Sequence, residues 1–503
     1  MFLIVAAVAA ALAIVYSIST SIASYRRLAH IPGPRWAAWT DFWLVRHCLS
    51  GQLVYRMRDV NSQYGKLARI GPNWVICGDP SEIRRIWAAR SKYKRGYWYR
   101  GMRLDPYQDS TFSTLDEKVH GQLRAKMLPG YAGKEVDNLH EVVDAHVSAF
   151  VKLLEDKYLA GDPADSDAQY RTVDLARKVQ FLALDVISAL AFGDAFGCLE
   201  ADADVSRYIE ITERTTPIVV AVAVLPWLVD FLQSPFWRLL IPNVNDLVGF
   251  GSVMTLAKKA VGMRYGEKAV VKRDMLGSFV KHGLSRDEAE GEALTQIVAG
   301  SDTTATATRA TLLYIMTNPQ VYTRLQHEID EGVRAGQISS PIRDAEARNL
   351  PYLQAVIREG LRMWPPANGL LPKVSMTDDV ICGVNVPAGT SVAWAAWTVM
   401  HDKEVFGEDA YQFRPERWLN ASPDKLRAMD QTALLGFAGG SRSECPGKMV
   451  AMIELNKVLV ELLRRFDIVL VDPTQPWKFF NAVIFMQSDM NVRITRRKET
   501  VIA

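Results

Sequence analysis

A chain of 503 residues, 49% of them hydrophobic, is long enough for a large core, and by length alone two or three domains would be expected. Its 59 basic and 56 acidic side chains leave a formal charge of only +3, and no basic run is interleaved with aromatics, which argues against nucleic acid as a partner. Five cysteines, at 48, 77, 198, 382 and 445, form an odd set without C-x-x-C spacing. Neither a disulfide framework nor a zinc site is expected from them, as fits a reducing compartment.

Residues 1 to 24 carry no charged side chain, and Phe2 to Tyr16 are entirely apolar. With Ser17 to Ile22 added, the run is about as long as a helix that spans hydrocarbon. Arg26 and Arg27 follow it, which predicts that the bulk of the chain stays on the cytosolic side. A cleaved signal peptide is the alternative. The reading is a membrane anchor over 1–24 followed by one domain over 25–503, since no repeat or low-complexity linker interrupts the remainder.

Between Gly65 and Cys77, alternation predicts two short strands that turn at Gly71-Pro72. Helical patterns dominate from Pro80 onward. Ser81 is read as the cap of a helix through Arg90, and Lys118 to Leu128 as another, in which His120 and Arg124 share a face at i, i+4. Pro217 to Val229 is uncharged but too short to cross a bilayer. It suits a buried helix or a surface that dips into a membrane.

Ser285 and Glu288 form a capping box for a helix to about Asn318, roughly 50 Å long at 1.5 Å per residue. Gly300 and the threonines in its middle, Ala299 to Thr304, are poor interior helix residues, so local opening of the backbone ladder is expected there. A further helix from about Asn349 to Trp364 brings Glu359 and Arg362 together at i, i+3. Val380 to Val392 reads as a hairpin, with Lys373 just before it.

Phe437 to Gly447, FAGGSRSECPG, is a glycine-rich loop that delivers Cys445 to an apolar helix over about Pro446 to Phe466. Unpaired N–H groups and the positive end of the helix dipole favour a thiolate at that position, which is a ligand for a soft metal. Gly439, Gly440 and Gly447 leave room for something flat.

This stretch resembles the haem-binding loop of the cytochrome P-450 family at Phe437, Gly440, Arg442, Cys445 and Gly447. The family usually has one residue between that arginine and the cysteine; this chain has two, Ser443 and Glu444. Three more motifs occur in the family's order: Ala299-Gly-Ser-Asp-Thr-Thr304, the Glu359/Arg362 pair, and Phe413-Arg-Pro-Glu-Arg-Trp418, which supplies Arg417. Ile31-Pro-Gly-Pro34 resembles the hinge after the anchor in microsomal members, and Tyr97 to Glu135 looks most like fungal secondary-metabolism members.

The resemblance implies a mainly α fold, a helical haem domain with a small β region. It implies haem b, iron protoporphyrin, with Cys445 on the metal and Phe437, Gly440, Arg442, His120, Arg124 and Lys373 around the group, His120 standing where the family has tryptophan. It implies Asp302 and Thr303 as the catalytic proton pair, and a buried network joining Glu359, Arg362 and Arg417. The implied activity is insertion of one oxygen atom from dioxygen into a small apolar substrate. Electrons would come from NADPH through a separate flavoprotein reductase, with cytochrome b5 as a second donor, because the chain has no dinucleotide fingerprint. Lys126, Lys134 and Lys448 are candidate docking residues. Gln296, Ala299, Leu370, Leu371 and Phe485 are expected to line the pocket. The implied location is the endoplasmic reticulum membrane, single-pass, with a cytosolic domain. Two alternatives fit the same motifs: an isomerase or dehydratase that uses no external oxygen, against which Asp302 and Thr303 argue, and a non-catalytic haem-binding membrane protein.

Overall fold

The computed structural model describes residues 19–160, 171–205, 207–235 and 250–497. The expected anchor over 1–24 lies largely outside the described residues; 19–24 run as helix. The helices that position the site are α1 (Phe42–Leu49), α2 (Pro80–Trp87), α3 (Trp98–Gly101), α4 (Glu117–Tyr131), α5 (Leu175–Phe192), α6 (Tyr208–Ala223), α7 (Pro226–Leu232), α8 (Arg286–Thr317), α9 (Pro351–Met363), α10 (Glu416–Asn420) and α11 (Lys448–Leu463). The fold is mainly helical, as expected.

Sheet is confined to small units. One has five strands, β1 (Leu67–Gly71), β2 (Trp74–Cys77), β3 (Tyr93–Arg95), β4 (Lys373–Ser375) and β7 (Ser391–Trp394), in the order β1-β2-β7-β4-β3. The β1–β2 hairpin is the one the alternation predicts. The hairpin expected over Val380–Val392 is shorter: β5 (Asp379–Ile381) pairs with β6 (Val384–Val386), and β7 leaves to run parallel to β2. Helix α2 starts one residue before the expected cap. Asp79 holds the Ser81 and Glu82 N–H groups and Pro80 takes the first helical position, where its missing N–H is not needed.

The long helix α8 begins as predicted, with Ser285 and Glu288 making both bonds of the capping box. The expected opening near Gly300 does not occur, and the helix runs unbroken through 32 residues. Two features explain this. Thr303, Thr308 and Thr311 donate their hydroxyls to the carbonyls of Ala299, Thr304 and Ala307, so they are satisfied within the helix. Gly300 serves packing: a Cβ there would lie 2.5 Å from Ile187 Cγ1 of α5, so its absence lets the two helices close together.

The run Pro217 to Val229 is neither one buried helix nor one span. It breaks between α6 and α7, which bend by 117°, and among the described residues no single helix is long and apolar enough to cross a membrane. Val220, Ala221, Ala223 and Val229 are buried, while Ile218, Trp227 and Phe231 are exposed. Helix α1, which packs on α6, exposes Phe42 beside Trp36 and Trp39.

Behind the cysteine loop the expected ionic network is present and fully enclosed. Glu359 accepts from Arg362 Nε at 2.9 Å and Nη2 at 2.7 Å, and from Arg417 Nε at 2.9 Å. It also accepts from Trp418 Nε1 at 2.9 Å and the Arg414 N–H at 3.0 Å, two donors the sequence reading did not include. The arginines spend their remaining donors on the carbonyls of Met400, Ala410, Phe406 and Asp409. Arg362→Leu, which leaves that carboxylate short of its charge partner, is expected to cost roughly 3–5 kcal/mol in chemical denaturation, and Trp418→Phe, which removes one bond to a charged acceptor, about 1.5–3 kcal/mol. Gly300→Ala is expected to cost roughly 1–3 kcal/mol by overpacking; adding Ile187→Ala should recover part of that loss, which a double-mutant cycle will measure.

Candidate functional site

A cavity of about 670 Å³ lies between the cysteine loop and α8. Cys445 is reached through a folded loop. The Cys445 N–H donates to the Phe437 carbonyl at 2.8 Å, Gly439 donates to Leu434, and the Gly440 carbonyl accepts from Ala89. Helix α11 starts at Lys448 rather than Pro446 and ends at Leu463, with Phe466 opening a strand. The N–H groups of Gly447 and Lys448 point at the Cys445 sulfur. Cys445 has much exposed surface, yet that surface lines the cavity. Burial from solvent raises the thiol above its ordinary value, against the pull of those N–H groups and of Arg124. The helix terminus alone therefore does not secure a thiolate; a bound metal ion does, because a coordinating thiol is deprotonated.

Cations gather on one side. His120, Arg124 and Lys373 line the cavity as the resemblance implies, and so does Arg95, which the sequence reading missed. In the β3–β4 ladder Arg95 and Lys373 are directly opposite one another, and both are buried. Like charges in that register repel. Arg95 is held by the Thr114 carbonyl at 2.8 Å and the Ser443 hydroxyl at 2.9 Å. Burial, and then Arg95, push Lys373 down to about 8. His120 is pushed down to about 3 by burial and then by Arg95, Arg124 and Lys373, so it is a neutral donor at physiological pH. Glu117 and Glu292 lie near enough to act on Arg95, and Glu117 on Lys373, yet among the described residues neither forms an ion pair with them, so buried cations here call for a further anion. A period of two places Arg95 on the same face as buried Tyr93, with Lys94 exposed; a charge on the buried face of a strand is the signal that would have found it.

Two expectations about the loop change. Arg442 does not reach the cavity: it turns outward to the Ala89 carbonyl and lies 3.8 Å from Glu117, with 45% of its side chain exposed. The second residue between arginine and cysteine accounts for this, since Ser443 takes the inward position and binds Arg95 instead. Gly440 also lies off the cavity wall; its φ of 75° is what makes glycine suitable there. Phe437 does line the cavity, with Lys448 Nζ 6.0 Å from its ring centre.

From α8, Gln296, Ala299, Gly300 and Thr303 line the cavity, and Leu371 lines it too. Leu370 and Phe485, expected there, are in the core instead, Phe485 against Trp364. Thr303 and Asp302 part company. Successive helical residues are about 100° apart, so both cannot face one side. The Thr303 hydroxyl donates to the Ala299 carbonyl at 2.7 Å on the cavity side. Asp302 is buried against α5 and α6, where it accepts from Gln180 Nε2 at 2.6 Å and the Tyr208 hydroxyl at 3.4 Å. Burial raises it to about 6, against the pull of Arg309.

A sulfur ligand in the floor, glycines that admit a flat body and buried cations at one rim suit a planar group with a soft metal at its centre and carboxylates at its edge. That is the description of a haem pocket. A family model described as cytochrome P-450 matches residues 30–495, and the chain belongs to that family. It is 40% identical over 494 residues to the cytochrome P-450 monooxygenase ABA1 of Pyricularia oryzae, covering 97% of this chain and 96% of the other. It is 38% identical over 476 residues to the monooxygenase aba1 of Botryotinia fuckeliana, covering 94% and 93%. To the monooxygenase gsfF of Penicillium aethiopicum it is 28% identical over 485 residues, covering 93% and 94%. The protein is a monooxygenase, an oxidoreductase that incorporates oxygen.

Each charge-assisted contact to a carboxylate contributes about 1.5–3 kcal/mol. Arg95→Ala and Lys373→Ala should therefore speed the transfer of haem to apomyoglobin by at least tenfold, Ser443→Ala less, and Arg442→Ala by no more than about twofold. A second expectation follows from Asp302. Its folded value is about 6 against an ordinary 3.8, so between those pH values the folded chain keeps a proton that the unfolded chain has released. The group's contribution to stability is full below about pH 4 and falls as pH rises to 6. Relative to wild type, Asp302→Asn should gain about 2–3 kcal/mol between pH 4 and 7 in denaturant titrations.

Proposed function

We propose that this chain is a membrane-anchored haem-thiolate monooxygenase that inserts one oxygen atom into a largely apolar molecule of fungal secondary metabolism. The observation that carries the reading is that Cys445 and Thr303 line one cavity whose lining is predominantly apolar. Cys445 is the metal ligand; Arg95, His120, Arg124 and Lys373 hold the propionates. The haem supplies dioxygen binding and activation, with thiolate ligation favouring O–O cleavage.

The chain's own residues do the rest. Thr303 offers a hydroxyl that both donates and accepts beside the reacting position. Asp302, with its value near 6, takes and releases protons close to neutrality. To pass one inward it turns away from Gln180 and Tyr208, so those two partners set its resting position. The apolar walls keep other water out.

Electrons are proposed to come from NADPH through a flavoprotein reductase, cytochrome b5 being a second donor. Of the three lysines named for docking, Lys134 is exposed, whereas Lys126 pairs with Glu288 and Lys448 with Glu444. The proposed location is the endoplasmic reticulum membrane with a cytosolic domain. The apolar residues 1–24 support it, as do Trp36, Phe42, Ile218, Trp227 and Phe231, exposed on packed elements where a bilayer surface would cover them.

Cys445→Ala should abolish the red-shifted band of the reduced carbon monoxide complex, and a retained band would remove Cys445 from the metal. Thr303→Ala should keep substrate binding and iron reduction near normal while peroxide forms at the expense of product, roughly a tenfold or greater loss of coupling for a proton donor worth about 10²–10⁴ in rate. Product, peroxide and NADPH measured together are the check; an unchanged product-to-NADPH ratio would refute the role of Thr303. After alkaline carbonate extraction the full-length chain should remain in the membrane pellet with its N-terminus intact.

A further inference from the structure

The end of the cavity formed by α3, α6 and α7 is apolar at Met102, Leu104, Val219, Val222, Val229 and Leu232; besides Thr215 and Thr216 of α6, two larger polar side chains, Arg103 and Gln233, interrupt it. Both are fixed. Arg103 has 15% of its side chain exposed and grips Asp109 with two bonds, Nε to Oδ1 at 2.8 Å and Nη2 to Oδ2 at 2.7 Å. Its Nη1 donates to Gln233 Oε1 at 3.2 Å and to the Pro106 carbonyl at 3.5 Å. Arg100 Nε donates to the same Gln233 oxygen at 3.2 Å, and Gln233 Nε2 donates to the Arg100 carbonyl at 3.3 Å. The Tyr97 hydroxyl ties the same two segments together through Asp230.

The donor inventory is informative. The Gln233 oxygen accepts twice, which fixes the amide orientation. Among the described residues, one N–H of Gln233 and one of Arg103 Nη2 have no protein acceptor. What Arg103 and Gln233 leave over is thus donors only. Charge is balanced, because Arg103 pairs with Asp109 and Arg100 lies 3.9 Å from Asp230. A carboxylate placed here would compete with Asp109 for Arg103.

We propose that Arg103 and Gln233 dock an uncharged acceptor oxygen of the substrate, a carbonyl being the best fit, and so hold an otherwise apolar molecule by an end that already carries oxygen. The carbon presented towards Cys445 is then distant from that oxygen. This inference rests on the proposed reading of the cavity as the substrate site.

The test uses full-length, haem-loaded protein and two probes of the same shape, 2-undecanone and 2-methyl-1-undecene, in which a C=O is exchanged for C=CH2. Dissociation constants are read from the ferric spin-state shift. Wild type should bind the ketone roughly two- to tenfold more tightly, as one neutral hydrogen bond allows. Arg103→Met and Gln233→Leu, each checked for normal haem content, should bring the ratio towards one. Gln233→Glu, which puts an acceptor where the spare donor was, should lower it too. Equal binding of the two probes by wild type, or a ratio that survives both Arg103→Met and Gln233→Leu, overturns the docking point while leaving the oxygenase reading intact. Undecanoate binding more tightly than the ketone, with the advantage lost in Arg103→Met, overturns the uncharged assignment. If neither probe perturbs the haem spectrum, the reading of this cavity as the substrate site falls, and the docking point with it.

Discussion

A charge taken out of water must be met by protein donors or by a ligand, and this chain does both. Glu359 is the internally solved case. Burial would raise its carboxyl, but Arg362, Arg417 and the Arg414 N–H hold it below the ordinary range. Five hydrogen bonds converge on its two oxygens and join α9, the segment through Arg414 and α10 into one rigid support behind the cysteine loop. Buried pairs of this kind add little net stability when complete and cost several kcal/mol when broken. Their value lies in fixing a geometry.

The cavity rim is the case left for a ligand. Arg95 and Lys373 are forced into register by strand pairing, and the neutral His120 and cationic Arg124 complete the set. With Glu117 and Glu292 acting on them only from beyond ion-pair distance, these groups gain from a dianionic partner, and binding of the family's haem would relieve repulsion built into the β3–β4 ladder. The extra residue before Cys445 illustrates how one constraint reroutes another. It turns Arg442 out to Ala89 and Glu117, and it brings the Ser443 hydroxyl in to brace Arg95, so a cation still faces the rim from a different element.

Helix α8 divides its labour by geometry. Its cavity face carries Thr303, and its packed face carries Asp302 against Gln180 and Tyr208. Helices α5 and α6 enclose Asp302 through Gln180 and Tyr208, and that burial raises its proton affinity.

The sequence by itself determined the long capped helix, the Glu359–Arg362 pair and the loop that carries Cys445, because each rests on local spacing: a capping box at i, i+3, an ion pair at i, i+3, glycines beside a cysteine. It also determined that His120 and Arg124 share a face. The family, and with it the expectation that Arg417 joins the Glu359–Arg362 pair, came from four such motifs occurring in one order. Tertiary structure alone decided which residues meet. Arg95 and Lys373 are nearly three hundred positions apart and become neighbours only through strand register. Leu370 and Leu371 are adjacent in sequence, yet one enters the core and the other the cavity. Gly300 was read as a weak point in a helix because intrinsic propensity sees only the helix; the Ile187 side chain across the interface makes it a packing requirement. Local chemistry is written in nearest-neighbour spacing, whereas the partner of a buried charge is chosen by the whole fold.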